Sequence, residues 1–208
     1  AHTSISNISI QPNADGTGIR ILDSPSSTAH ASVQANLGAG ITISGGLNGL
    51  VVENANAKAV TPLGNLAFTG QVGNYIKVSA NANNIDATQA TFDGKLGSAM
   101  TLAELFGAED KIEHKIDLAS LGFVTVKESN NYVTTNSFAS PNTSASIQRG
   151  IDIASAGWVV NVANGTYNED VNVNKALTLK GESRDATILK GVYSTAGAST
   201  LSMSVSNS

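Results

Sequence analysis

The sequence predicts an all-β solenoid, namely a right-handed parallel β-helix with short capping helices and two partial coil stacks separated by a helical linker. Short apolar strands of roughly three to five residues recur along most of the 208 residues. The connections between them vary in length and are rarely the two-residue turns of hairpins, which favours coils. An antiparallel sandwich also has strands about ten residues apart, so it remains the alternative fold.

The predicted strands either alternate apolar with polar residues or are short β-branched runs bounded by Gly, Asn, Asp and Ser. A first group lies at residues 8–10, 19–22, 41–43, 50–52, 66–68 and 75–78, and a second at 158–162, 171–173, 177–179, 187–189 and 201–205. The polar composition is also typical of disordered chains, but the recurrence of these strands argues against disorder.

Composition excludes several classes of function. Only 13% of residues are charged, the net charge is −4, and the 12 Lys and Arg residues are scattered, so we expect no nucleic-acid partner. The absence of cysteine excludes disulfides and Cys-based metal or redox sites. Because no apolar run is long enough to span a bilayer, we also expect no membrane insertion.

Residues 98–121 have helical periodicity. Apolar residues recur at helical spacing, at Leu102, Leu105, Phe106, Ile112 and Ile116. Thr101 followed three residues later by Glu104 predicts a capping box. We expect this segment to plug the end of the first coil stack near Phe92, with its charged residues on a solvated face.

Residues 144–156 form a second predicted helix, with Ile147, Ile151 and Ala154 on one face. An apolar stripe of this kind can cover the exposed core at the end of a solenoid. The chain is therefore predicted to comprise β coils at residues 1–97, a helical plug and linker at 98–143, and a cap helix followed by new coils at 144–208.

The second segment resembles a known family. Residues 146–157 (SIQRGIDIASAG), 159–169 (VVNVANGTYNE) and 177–181 (LTLKG) are similar to the start of pectin-lyase-like β-helix domains of large bacterial secreted and cell-surface repeat proteins. In that family an amphipathic helix caps the barrel, and a strand, a Gly-Thr-Tyr-x-Glu turn and a second strand form the first coil. The resemblance implies an extracellular or cell-surface location.

The order of the segments is unusual, because coils occur both before and after the cap helix. The chain also begins and ends in strand-like runs. We expect these runs to meet in neighbouring copies as an assembly interface comprising Ile5, Ile8 and Ile10 at one end and Leu201, Met203 and Val205 at the other. The partners predicted are therefore copies of the chain itself, head to tail, either as periods of one tandem polypeptide or as separate subunits, with surface glycans as a second class.

The sequence does not predict an enzyme. Lyases and esterases of the resembled family need clustered carboxylates with Arg or Lys, and Arg20, Arg149 and Arg184 lie outside any carboxylate-rich strand. His2, His30 and His114 are isolated and are expected at the surface. Calcium is the one cofactor considered, with Asp15 and Asp86 as candidate ligands in turns.

These features favour a structural or adhesive surface-repeat protein that forms an extended fibre or stalk. The alternative is a fragment of a polysaccharide lyase or esterase, or a carbohydrate-binding β-helix. Exposed aromatic residues for sugar stacking are few, because Trp158 and Tyr167 are expected to pack in the core.

Overall fold

A computed structural model describes residues 2–23, 33–59, 61–81, 83–192 and 199–204 of the chain. These residues form an all-β protein, in which mostly parallel strands build several sheets and two short α-helices are added. The arrangement is compatible with a parallel β-helix. In the described ranges the helices are too short to cross a bilayer.

The strands are, in chain order, β1 His2–Ile5, β2 Ile8–Ile10, β3 Thr17–Leu22, β4 Val33–Leu37, β5 Ile41–Ser44, β6 Asn48–Glu53, β7 Ala57–Ala59, β8 Ala67–Thr69, β9 Ile76–Ser79, β10 Ile85–Asp86, β11 Thr91–Phe92, β12 Lys95–Leu96, β13 Ile112–Glu113, β14 Val124–Thr125, β15 Asn130–Val133, β16 Val159–Val162, β17 Gly165–Asn168, β18 Val171–Val173, β19 Thr178–Gly181, β20 Thr187–Lys190 and β21 Leu201–Met203. The helices are a 3₁₀-helix at Gly97–Ala99, α1 at Leu102–Glu109 and α2 at Ile147–Ile153.

The chain divides into two compact units. Unit 1 comprises residues 1–115 and 119–128, and unit 2 comprises residues 116–118 and 129–208. The segment expected to be a separate helical linker, 98–143, is thus shared between the two units.

In unit 1 the chain passes repeatedly through three sheets in a fixed order. Sheet A contains β1, β4 and β7, sheet B contains β2, β5, β8 and β11, and sheet C contains β3, β6, β9 and β13, all in parallel. A fourth, parallel pair, β10 with β14, forms sheet D. We call one pass through three sheets a coil.

The core of unit 1 consists of columns of apolar side chains stacked from coil to coil. Alternation along each strand places one set of residues inside, so that in β5 Ile41 and Ile43 are fully buried while Thr42 is not. In register, Ile43 lies beside Phe68, which stacks on Phe92 with ring centroids 5.5 Å apart. Burial of these columns removes apolar surface from water and supplies most of the stabilisation of the coils.

Unit 2 repeats the pattern on a smaller scale. Sheet E contains β15, β16 and β19, sheet F contains β17 and β20, and sheet G contains β18 and β21, all in parallel. Helix α2 connects β15 to β16 and contacts β15, β16 and β18. Its predicted inner face is buried, since Ile147, Ile151 and Ala154 are 3%, 0% and 3% exposed.

The helix predicted over residues 98–121 is much shorter than expected. The capping box is present, because Thr101 Oγ1 accepts from the Glu104 N–H at 3.3 Å and the Glu104 carboxylate accepts from the Thr101 N–H at 2.9 Å. Helix α1 then ends at Glu109, and Ile112 enters sheet C beside Ile76. The edge of sheet C therefore overrides the helical spacing of Ile112.

We expect Thr101→Ala to lower the free energy of unfolding by about 1 kcal/mol, because it removes the N-cap acceptor of α1. Thr101→Ser keeps a hydroxyl at the cap and should retain most of the stability. Urea denaturation of both variants measures the difference. Equal losses in the two variants would contradict a capping role.

We expect Ile151→Asp to destabilise the protein by several kcal/mol, because it places a carboxylate at a fully buried position of α2. Ser155→Asp adds the same charge at an exposed position beyond the helix and is the matched control. Thermal denaturation compares them. An Ile151→Asp variant that melts within a degree or two of the control would show that α2 does not seal the core.

Candidate assembly interface

The first coil of unit 1 leaves one layer of the core uncovered. Strands β1, β2 and β3 are each the outermost strand of their sheet among the described residues. Ile8 lies beside Ile41, which is fully buried, whereas Ile8 itself is 44% exposed. Ile5 and Ile10 are half-buried at the same level. We call Ile5, Ile8 and Ile10 the N-terminal end layer.

The last coil of unit 2 leaves a matching layer uncovered. Leu201 and Met203 continue the column that begins with Val171 and Val173, which are 2% and 7% exposed. Nothing among the described residues covers the next level, so Leu201 is 46% and Met203 77% exposed. The same coil contributes further inward leucines to the C-terminal end layer, which comprises Leu179, Leu189, Leu201 and Met203.

A groove runs across the C-terminal end layer. It encloses about 530 Å³ and is lined by three leucines of the layer together with Ile147 and Val162 from beneath. Lys180 and Arg184 lie on its rim. An apolar floor between three unpaired strand edges is a surface that can receive another layer of strands.

At the two remaining ends, other elements lie against some of the edge strands. At the start of unit 2, α2 covers the first strands of sheets E and G. At the far end of unit 1, the chain reverses through Asp93 and Gly94, whose φ angles of 47° and 83° form a tight hairpin turn. Strand β12 then pairs antiparallel with β11, so a short antiparallel strand covers that edge of sheet B. Strands β13, β14 and β17 are also outermost in sheets C, D and F among the described residues.

Side chains of unit 2 hold α2 in place at both helix ends. The Glu169 carboxylate accepts from the Ser146 hydroxyl at 2.9 Å and from the Ile147 N–H at 2.5 Å, at the positive end of the helix. At the other end, the Lys175 ammonium donates to the carbonyls of Asp152 and Ala154, at 3.1 and 3.0 Å. The turn that contains Glu169 thus fixes the cap to the coil beneath it.

The two open ends differ in charge. Residues 174–204 contain four basic residues, Lys175, Lys180, Arg184 and Lys190, against Glu182 and Asp185. Residues 2–23 contain two acidic residues, Asp15 and Asp23, against Arg20. The last coil is therefore net positive and the first coil net negative, with His2 neutral. Opposite charge at the two ends favours encounter between one end and the other.

The two calcium candidates, Asp15 and Asp86, have different surroundings. Asp15 is exposed in a turn before β3, and Asp86 in β10 accepts from the N–H and the hydroxyl of Thr88, at 2.9 and 2.7 Å. Among the described residues, no three His, Cys, Asp or Glu side chains come together as a metal site.

His114 was expected at the surface, and that expectation is wrong. Its side chain is fully buried, with Nδ1 accepting from the Val124 N–H at 2.9 Å and Nε2 lying 2.8 Å from Glu109 Oε1. A ring whose Nδ1 accepts must carry its proton on Nε2, which then donates to Glu109. Glu109, expected on a solvated face, is itself only 5% exposed. His2 lies exposed in β1, and His30 lies outside the described residues.

A second groove, of about 340 Å³, lies between α1 and the last coils of unit 1 and was not anticipated from the sequence. The Tyr75 hydroxyl donates to Asp93 at 2.5 Å, and the Lys111 ammonium lies 4.9 Å from the centre of the Tyr75 ring. Burial raises the pKa of Tyr75, and the hydrogen bond from Tyr75 lowers the pKa of Asp93. Lys95 and Glu104 pair with each other at the rim. These charged groups therefore have partners within the groove.

The predicted assembly residues are thus placed as follows. Ile5, Ile8 and Ile10 lie together in one end layer, and Leu201 and Met203 lie in the other. Val205 lies outside the described residues. Leu179 and Leu189 were missing from the sequence-based set, although each is the inward residue of a predicted strand.

We expect Glu169→Ala to destabilise the protein by about 1.5–3 kcal/mol, the range for hydrogen bonds to a charged group. The variant loses the carboxylate that binds the first turn of α2. Asp185→Ala, which removes an exposed carboxylate paired with Arg184, should change stability little and is the control. Chemical denaturation measures both. A Glu169→Ala variant as stable as Asp185→Ala would contradict the role of Glu169 as a clamp on the cap.

Comparison with protein-family models, with curated proteins and with solved structures gave no match to this chain.

Proposed function

We propose that this chain is a right-handed parallel β-helix whose function is structural: a repeat of an extracellular or cell-surface fibre or stalk, built by head-to-tail completion of coils. The observation that carries the proposal is the stacking of parallel strands coil upon coil, with an apolar layer at the first and last described coils that another coil can extend. The resemblance of residues 146–181 to the start of pectin-lyase-like domains supports the same fold. Strands that pair with each other lie roughly 20 to 40 residues apart in the sequence, which is usual for successive coils of a solenoid.

The open ends supply a driving force for assembly. An unpaired strand edge offers backbone N–H and C=O groups that a further parallel strand can satisfy. Apolar side chains of the end layers would also leave water, and each large side chain that becomes fully buried contributes about 1.5–3 kcal/mol. Met203 is 77% exposed, so its burial would remove the largest exposed fraction from water.

The two end layers determine the polarity of the proposed assembly. Helix α2 and strand β12 lie against edge strands elsewhere, so the proposed contact joins the N-terminal end layer of one copy to the C-terminal end layer of the next. These layers are different surfaces, so a contact between them is heterologous and leaves one of each open at the ends of the product. Such a contact propagates as a filament when its rotation does not close into a ring. The opposite charges of the two coils favour this pairing over contacts between like ends.

The test is self-association of the chain with and without a charge in the C-terminal end layer. Met203→Asp should abolish assembly but leave the monomer folded, because position 203 is exposed in the monomer and buried in the contact. Val72→Asp is the matched control, since Val72 is 76% exposed and lies outside both end layers. Sedimentation velocity over a range of concentrations, with electron microscopy of the products, measures assembly.

We expect wild type and Val72→Asp to form filaments with rising concentration and Met203→Asp to remain monomeric. A wild-type chain that stays monomeric at high concentration would overturn the proposal. So would assembly of Met203→Asp at the wild-type concentration, because the contact would then lie elsewhere.

A further inference from the structure

The groove beside helix α1 has the features of a ligand site. Its lining residues, at position 75 and between positions 92 and 111, are all described and all belong to unit 1. It lies away from both the N-terminal and the C-terminal end layers. Its volume of about 340 Å³ is at the small end of the range of about 300–1,000 Å³ that is typical of ligand pockets. The size of the groove therefore favours a small molecule.

An aromatic cluster forms the floor of the groove. The centroid of the Tyr75 ring lies 5.3 Å from that of Phe92 and 6.2 Å from that of Phe68. Tyr75 and Phe92 line the groove, and Met100 adds a flexible apolar side chain beside them. Aromatic rings pack favourably on one another at centroid separations of about 4.5–7 Å. A flat aromatic ligand is therefore well suited to extend this cluster.

Helix α1 leaves room for such a ligand, because it presents small residues to the groove. Gly107 and Ala108 line the groove. A Cβ atom added to Gly107 would meet nothing within 4 Å beyond the backbone of α1 itself. The backbone at Gly107 is helical and has no positive φ, so the fold does not require glycine there. A larger side chain at position 107 would extend into the groove without straining the helix.

The carboxylates of the groove already have donors. Asp93 accepts from the Gly70 N–H at 3.0 Å on one oxygen and from the Tyr75 hydroxyl at 2.5 Å on the other. Glu104 accepts from the Lys95 ammonium on one oxygen. Its other oxygen accepts from the N–H and the hydroxyl of the N-cap residue of α1. Each carboxylate oxygen in the groove is thus hydrogen-bonded within the protein.

The Lys111 ammonium, by contrast, has a donor to spare. It donates to the Gln71 carbonyl at 2.9 Å and lies 4.9 Å from the centre of the Tyr75 ring. Within the part of the chain that the structure describes, no carboxylate oxygen lies within 4.0 Å of this ammonium. An ammonium has three N–H donors, so one remains after the carbonyl and the ring face. A carboxylate is the strongest acceptor for it, because hydrogen bonds between opposite charges are about twice as strong as neutral ones.

We propose that this groove binds a small aromatic carboxylate, with its ring against Tyr75 and Phe92 and its carboxylate on the Lys111 ammonium. The aromatic floor selects the flat apolar ring, and the spare donor selects the anion. A cation of the same shape would meet carboxylate oxygens that already have donors, and Lys111 would repel it. The site is independent of the proposed assembly, because it lies outside both end layers.

Three probes of the same shape and different charge test the proposal: benzoate, neutral benzamide and cationic benzamidine. Each is titrated into the isotope-labelled chain at a concentration at which the chain is monomeric, and amide NMR spectra measure binding. We expect benzoate to give saturable shifts at the amides of Gly107, Ala108 and Lys111, with a Kd of about 1 mM or lower. Benzamide and benzamidine should bind at least about tenfold more weakly, because they lack the charge-assisted hydrogen bond.

Two variants separate the shape of the groove from its charge. Gly107→Leu should abolish benzoate binding by filling the groove while the chain stays folded, because leucine is a better helix former than glycine. Ala103→Leu is its matched control, since Ala103 is exposed on α1 and does not line the groove. Lys111→Met should weaken benzoate binding at least about tenfold. Lys58→Met removes an exposed lysine outside the groove and should bind like wild type.

Benzamide or benzamidine that binds as tightly as benzoate would overturn the choice of an anion. Benzoate that gives no saturable shift at about ten times the expected Kd, or that shifts only amides away from the groove, would overturn the site. So would a folded Gly107→Leu variant that binds benzoate like wild type. If Gly107→Leu fails to fold, Lys111→Met still decides, because unchanged binding by that variant contradicts the proposal.

Discussion

The structure depends on one constraint: every strand in a parallel stack must have a neighbour on each edge and apolar side chains above and below its own. Inside unit 1 the constraint is met by the next coil, so that Ile41, Ile43 and Phe68 are fully buried. A coil at the end of a stack meets it on one side only. Each end of a stack therefore lacks one neighbouring coil, and the ends differ in which element lies against them.

At two ends the repeat is broken by an element that is not a further parallel strand. Helix α2 needs no strand partner, because its backbone hydrogen bonds are internal, and it buries Ile151 while Glu169 and Lys175 satisfy its terminal groups. At the end of unit 1 an Asp-Gly turn sends β12 back along β11 in the antiparallel direction. A reversed two-residue strand with an exposed lysine is a poor template for a further parallel strand.

Much of this architecture could be predicted from the sequence, because local patterns determine it. Alternation identified the inward residues of strands such as β5 and β18, and the capping box at Thr101 and the apolar stripe of α2 are both present in the structure. Such signals depend on residues a few positions apart. The position of the helix predicted at residues 144–156 followed from them.

The parts that could not be predicted depend on partners far along the chain. Ile112 has helical spacing from Leu105, yet it joins sheet C because Ile76, in the preceding coil, leaves an open edge there. His114 is isolated in sequence, and its burial rests on Glu109 and on the Val124 N–H across a loop. The Asp93-Gly94 pair is a hairpin signal that was available in the sequence, but its effect on the edge of sheet B requires the sheet to be known.

The contrast between closed and open ends also bears on why the chain tolerates exposed core. Burying Leu201 and Met203 within one copy would take only a short helix or a reversed strand, and the chain has both devices elsewhere. An exposed apolar layer beside unpaired edges is a liability in a monomer, because it invites association. On the proposed function, the two end layers are the contact surfaces between successive repeats.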